Sequence, residues 1–317
     1  FMPPVRSLLD LDFYKFTMGQ VIHRNNPDNL VTFKLKVRDT SVKLFQYLDL
    51  EELRTAFDYA VSLFFRKTDQ YYLRGMNLYQ QNMFGEGYLD FLKSLRLPDY
   101  SIIKVDGIVE IKFTGPWSSV TYWETIAMST ISELYYRGLM RSMAEAEIHD
   151  MYVVANHRLE SELASIRDES NARVADFGTR RRHSFLWQRH AISTAKRILG
   201  DRFTGTSNTY LAFNQDLDPI GTDAHERTMV AGALANSDEE LRYSQYRVLE
   251  NWQEVYGQGL RIFLPDTFGS AQFFKNAPDW LSSWRGQRQD SGDPITEANR
   301  CMNWYIRDRK SVCRERV

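Results

Sequence analysis

Two side chains with obvious chemical potential lie far apart in the chain. His225 falls near the end of Pro219-Ile-Gly-Thr-Asp-Ala-His-Glu226, and Asp290 sits in Arg288-Gln-Asp-Ser-Gly-Asp-Pro294. A histidine that follows such an apolar-to-glycine run can act as acid, base or nucleophile towards phosphate. Asp290 and Asp293, on either side of Ser291-Gly292, can hold Mg²⁺ through oxygens or waters, or face positive charge developing on a sugar. An Asx-turn is the plainer reading of that loop. The other histidines, His23, His149, His157, His183 and His190, stand in no comparable setting and are read as structural.

Anion-binding residue types cluster in two further loops and in the His225 loop itself. In Asp176-Phe-Gly-Thr-Arg-Arg-Arg182, consecutive arginines after a tight turn can place guanidinium forks on phosphate or carboxylate. Phe177 can offer a flat face to an aromatic ring. An isolated arginine triplet is more often a solvated basic loop, but here it follows a strand-like Val-Ala-Asp. Gly205-Thr-Ser-Asn208 and Gly221-Thr-Asp-Ala-His225 combine glycine with hydroxyls and amides, a composition suited to close approach and hydrogen bonding. Either one alone reads as a turn. Asp266-Thr-Phe-Gly269 serves equally as a turn or as support for a site. Walker A, GxGxxG, HExxH and CxxC patterns are absent, so the commoner nucleotide, dinucleotide and zinc readings have no support.

These loops need elements that deliver them to one place. Four apolar runs, ending at Asp176, Asn208, His225 and Asp266, each empty into a small polar loop, and a fifth loop begins at Arg288. That repetition is the sequence form of a β/α barrel, whose strands present their last residues on one face. The fold class expected is α/β: an irregular, incomplete β/α barrel over residues 116–317, preceded by an α+β domain over residues 1–115. The visible strands do not close a barrel by residue 317, so its C-terminal part is expected to be missing.

Within the first domain, residues 31–37 alternate as a half-buried strand, and residues 50–65 and 70–95 carry helical spacing. Residues 102–113 read as a hairpin with Asp106-Gly107 as its turn. Asp12 is a plausible cap for a helix that follows it. Further helices are expected over 120–143, 184–199 and 238–256.

Forty Lys and Arg against 41 Asp and Glu leave no general basic field for nucleic acid. No apolar run is long enough to span a bilayer. Two cysteines, Cys301 and Cys313, cannot make a disulfide framework or a metal site, which fits a cytoplasmic protein.

Taken in order, Asp10-Leu-Asp-Phe-Tyr-Lys-Phe-Thr-Met18 and the five loops resemble the nicotinate phosphoribosyltransferase family from about residue 8 to residue 300. The resemblance implies a type II phosphoribosyltransferase fold and a homodimer with active sites at the subunit interface. It implies transfer of ribose phosphate from phosphoribosyl pyrophosphate to nicotinate, for NAD salvage. It further implies Mg²⁺, ATP as co-substrate, and a phosphorylated histidine that matches His225. Asp290 resembles the acid beside the reacting ribose. Tyr14, reaching from a partner subunit, and Phe177 resemble the two faces of a pyridine sandwich. Gly178, Thr179, Arg180, Ser207 and Arg288 fall at substrate-binding positions, and Arg181, Thr206 and Thr222 at phosphate-binding ones. The family usually continues past residue 317 with an Asp-Gly loop, and His183 stands where another residue is expected.

A nicotinamide phosphoribosyltransferase is the nearest rival. Such an enzyme would offer an acid at the position of Ser207, and a neutral hydroxyl there favours a carboxylate substrate. Quinolinate phosphoribosyltransferase has a different motif order. A non-catalytic ligand-binding scaffold is the alternative from another class.

Overall fold

Alternation in Leu30–Lys34 (β1) builds one edge of an antiparallel sheet whose other strands are Tyr100–Val105 (β4) and Ile108–Pro116 (β5), in the order β1-β5-β4. Phe33 stands opposite Phe113, which in turn faces Tyr100, so one face of the sheet is aromatic. The computed structural model describes residues 2–314 apart from 38–40, 79–80, 106–107 and 170. The hairpin pairing of β4 and β5 is as expected, and its Asp106-Gly107 turn lies outside the described residues. Helix Leu50–Ser62 starts where the Asp49 carboxylate accepts from the Glu51 and Glu52 N–H groups. It lays Leu53 and Phe57 on the sheet, and Phe57 meets Phe113 and Trp123 edge-on. Trp123 opens helix Trp123–Met140, the long helix expected there, and a short helix Trp117–Val120 precedes it.

Residues 70–95 depart from the single helical stretch expected. Helix Lys67–Arg74 stops at Gly75, a ribbon of Asn77–Leu78 (β2) and Gln81–Asn82 (β3) follows, and helix Glu86–Ser94 comes after it. Both helices bury their own leucines, which is why the apolar spacing reads as continuous.

In the second half, Val174–Asp176 (β6) and Phe203–Thr206 (β7) pair in parallel, joined by helix Phe185–Leu199. Thr206 forms a parallel bridge to Pro219, so three of the loop-bearing runs lie side by side. Ile262–Phe263 (β8) and Gly286–Gln287 (β9) form a second parallel pair. The βα order of an α/β fold is therefore present. Among the described residues its parallel strands are two to four residues long and stand in pairs. Helix Glu145–Glu169 was not foreseen, because it buries only Leu163 and carries little apolar pattern.

Gly115-Pro116, the expected domain change, falls at the end of β5, but the apolar cores cross it. One core joins Leu8, Phe16 and Phe57 to Ile126 and Leu134. Another joins Tyr14, Met18 and Ile22 of helix Tyr14–Asn25 to Trp252, Phe263 and Trp284. The first helix is thus shared by both halves. Asp12 does not cap it: Phe13 is at the cap position, and Asp12 accepts from the Ser207 hydroxyl at 2.6 Å.

Candidate active site

A cleft of about 1100 Å³ opens between β1, the first helix and the loops of the second half. Tyr14, Phe177, Arg180, Arg181, His225, Arg288 and Asp290 all line it. The expectation that the strand ends deliver separate loops to one place is met for six of these; the seventh, Tyr14, comes from the first helix.

His225 is the first residue of helix His225–Ala233. Its Nδ1 lies 2.8 Å from Thr267 Oγ1 and its Nε2 lies 3.1 Å from Asp290 Oδ2. Asp266 Oδ1 stands 3.6 Å from the same Nε2 and has no hydrogen-bond partner. The imidazole is thus oriented by a hydroxyl on one side and faces two carboxylates on the other. The helix start is fixed from below: Asp223 accepts from the Ala224 N–H at 2.9 Å and from buried Arg227 at 2.6 Å. Arg288 Nη1 donates to the Asp223 carbonyl at 2.7 Å, while its buried Nε makes no hydrogen bond and stands 3.7 Å from Asp290 Oδ1. A buried donor beside a cleft that makes no hydrogen bond of its own can take an acceptor from a ligand.

The arginine triplet divides by role. Arg180 is partly exposed, donates to Glu124 at 2.9 Å and lies 5.8 Å over the Tyr14 ring. Arg181 is exposed on the cleft wall. Arg182 turns inward and binds both oxygens of buried Asp10, at 2.7 and 2.9 Å, and the Pro4 carbonyl at 2.8 Å. It belongs to the fold. His183 also packs inward, with its Nε2 2.8 Å from the Tyr152 hydroxyl and its ring against Tyr136.

Several expected site residues are turned away from the cleft. Ser207 is fully buried and spends its hydroxyl on Asp12, so it does not discriminate a substrate from inside this cleft. Thr179 is buried and accepts from Gln188 and Asn208. Thr206 donates to Asp176 at 2.7 Å and accepts from the Asn208 N–H. The Gly178 N–H is held by Asp176 at 3.0 Å, and the Thr222 carbonyl accepts from the Thr17 hydroxyl. These groups shape the loops that carry Phe177, Arg180 and His225. Gly205 is needed for packing: with φ of 138°, an added Cβ would sit 2.1 Å from the Asp218 carbonyl oxygen.

Tyr14 reaches the cleft of its own chain, where Gly221 lets the backbones meet; a Cβ at Gly221 would fall 2.7 Å from the Tyr14 N. No partner subunit is needed to bring it beside Arg180. Its hydroxyl is buried without a partner, and burial with the Glu124 charge holds its pKa well above the usual range.

One group was missed entirely. Lys15 is fully buried and pairs with Glu124 at 2.6 Å and Glu226 at 2.5 Å. Glu226 also accepts from the Trp117 indole at 2.6 Å. Burial alone would lower the lysine, but the two carboxylates outweigh it and raise its pKa. Burial pushes Glu226 up against the pull of Lys15, whereas Lys15 and Arg180 overcome burial and hold Glu124 down. The available signal was a lysine beside Tyr14 in an otherwise apolar helix start.

The parallel strand pairs and the cation-rich cleft at their ends define an α/β enzyme suited to anionic substrates. The nicotinate phosphoribosyltransferase (NAPRTase) family matches residues 172–310, and its N-terminal domain matches residues 9–132. A nicotinate phosphoribosyltransferase structure from Porphyromonas gingivalis is 26% identical, with a TM-score of 0.84 over 96% of this chain and 75% of that one. One from Vibrio cholerae is 27% identical, with a TM-score of 0.81 over 96% and 71%. A putative nicotinate phosphoribosyltransferase from Saccharomyces cerevisiae is 26% identical, with a TM-score of 0.81 over 98% and 76%. The chain belongs to the nicotinate phosphoribosyltransferase family. Among the described residues no helix is long and apolar enough to cross a membrane.

Proposed function

We propose that this chain joins nicotinate to phosphoribosyl pyrophosphate, giving nicotinate mononucleotide and pyrophosphate, with ATP hydrolysis coupled through phosphorylation of His225. The carrying observation is that Tyr14, Phe177, Arg180, His225, Arg288 and Asp290 line one cleft although they come from separate segments. The pyridine nitrogen attacks C1 of the ribose as the bond from C1 to the pyrophosphate oxygen breaks, and the electron pair leaves with pyrophosphate. No base is needed, because that nitrogen already carries its lone pair. The barrier lies in the cationic sugar and the departing charge, so positioning and electrostatics carry the catalysis.

Phe177 and Tyr14 supply flat faces for the ring, and Arg288, whose Nε makes no hydrogen bond, supplies a donor for the nicotinate carboxylate. Arg180 and Arg181 face the phosphates, and Asp290 faces the ribosyl cation. His225, oriented by Thr267, takes the γ-phosphoryl group of ATP. Among the described residues no group of three or more His, Cys, Asp or Glu could hold a metal ion by itself. Mg²⁺ would then be held chiefly by pyrophosphate oxygens and waters, with Asp290 as a protein donor, and would neutralise leaving-group charge. A cytoplasmic homodimer in NAD salvage is part of the same reading.

The test is to mix the protein with phosphoribosyl pyrophosphate, Mg²⁺ and ATP, add nicotinate or nicotinamide, and assay both mononucleotides by chromatography. Nicotinate mononucleotide is the expected product. Product only from nicotinamide reverses the substrate assignment, and binding without turnover from either base leaves a ligand-binding scaffold.

A further inference from the structure

We propose that Lys15 is a positioning residue that fixes the two sides of the cleft by bridging Glu124 and Glu226. The proposal rests on the phosphoribosyltransferase reading for its kinetic test, but its geometry stands independently. Lys15 itself is fully buried and does not line the cleft, so it acts through its partners. Glu124, on helix Trp123–Met140, holds Arg180. Glu226 follows His225 on helix His225–Ala233 and is pinned by the Trp117 indole. A single ammonium therefore joins the guanidinium on one wall to the helix that begins with the imidazole on the other.

The arrangement has a definite failure. Two carboxylates beside a common cation lose their reason to be ionised together when that cation goes. The charged and titratable groups around them are Lys15 and Tyr14 from the first helix, Arg180 from the loop after β6, and Asp12 before the first helix. The Tyr122 hydroxyl is a further titratable neighbour of Glu226. Of the cations, only Lys15 contacts both carboxylates. Without it, Glu226 takes up a proton at higher pH, and Arg180 is left as the cation on Glu124.

The experiment compares wild type, Lys15→Met, Lys15→Met/Glu226→Gln and Lys15→Arg by thermal midpoint and by kcat/KM against pH for nicotinate. Lys15→Met is expected to lower kcat/KM about tenfold. Its acidic limb should move up by about one pH unit. The double variant should return the limb towards wild type, because it removes the uncompensated carboxylate, and Lys15→Arg should keep it in place. A folded Lys15→Met with an unmoved limb, or a shift that Glu226→Gln leaves intact, overturns the proposal.

If wild type turns over neither base, it is the substrate reading that fails. Lys15 is then decided on the ligand-free chain. A buried carboxyl whose pKa is raised stabilises the fold more as pH falls. The Lys15→Met midpoint should therefore rise relative to wild type on acidification from about pH 8 to about pH 6, and Glu226→Gln should remove that rise. Parallel midpoint curves overturn the proposal there too.

Discussion

At His225 the ring has a hydroxyl on one nitrogen and carboxylates at 3.1 and 3.6 Å from the other. On the proposed reading, negative charge beside the ring would disfavour a long-lived phosphohistidine and favour passing the phosphoryl group on. His225→Ala is expected to abolish ATP stimulation while leaving some ATP-independent transfer, read as product formed with and without ATP. Equal coupling in the variant would remove His225 from that role. His225, Asp290, Phe177 and Arg180 were legible because their loops put uncommon residue types in a fixed order. Ser207 and Thr206 were misplaced by the same logic: a short polar loop gives no sign of whether its hydroxyls face a ligand or a neighbouring carboxylate. Here Asp12 and Asp176 claim them.

Among the elements, β1, the β4–β5 hairpin and the helices starting at Phe185 and Asp238 could be read from alternation and apolar spacing, and the structure adds serine caps to both helices. Ser184 and Ser237 accept from the Trp187 and Glu240 N–H groups. Helix Glu145–Glu169 could not, because one buried leucine leaves no stripe to detect. Besides Leu163 it is attached through polar contacts, among them Tyr152 to His183, Asn156 to His190 and Glu160 to Arg197. Burial holds the His183 pKa below its ordinary 6.5. The folded chain then binds fewer protons than the unfolded one, so this contribution is present above pH 6.5 and is lost as pH falls through the window below it. His183→Gln is expected to flatten the acid side of the thermal-midpoint curve between about pH 7 and about pH 5. An unchanged slope would assign that acid sensitivity elsewhere.

On the scale of the whole molecule, the division at Gly115-Pro116 describes the chain order better than the packing. Sequence patterning marks where strands stop alternating, but it does not tell which distant apolar faces meet, so the first helix gave no sign of serving two cores. The Arg182–Asp10 pair ties the same ends together and is buried on both sides. Arg182→Met strands the Asp10 carboxylate and should destabilise the chain by about 3–5 kcal/mol, measured by denaturant unfolding. A loss near zero would show that Asn208, which also donates to Asp10, suffices.

Tyr14 meets Gly221 and shares its cleft with Asp290. On the ribosome, the opening helix must therefore wait for about two hundred residues to be made before Gly221 reaches its tyrosine. Met18 and Ile22 wait longer still for Trp252, Phe263 and Trp284, an interval in which a chaperone would find its natural foothold.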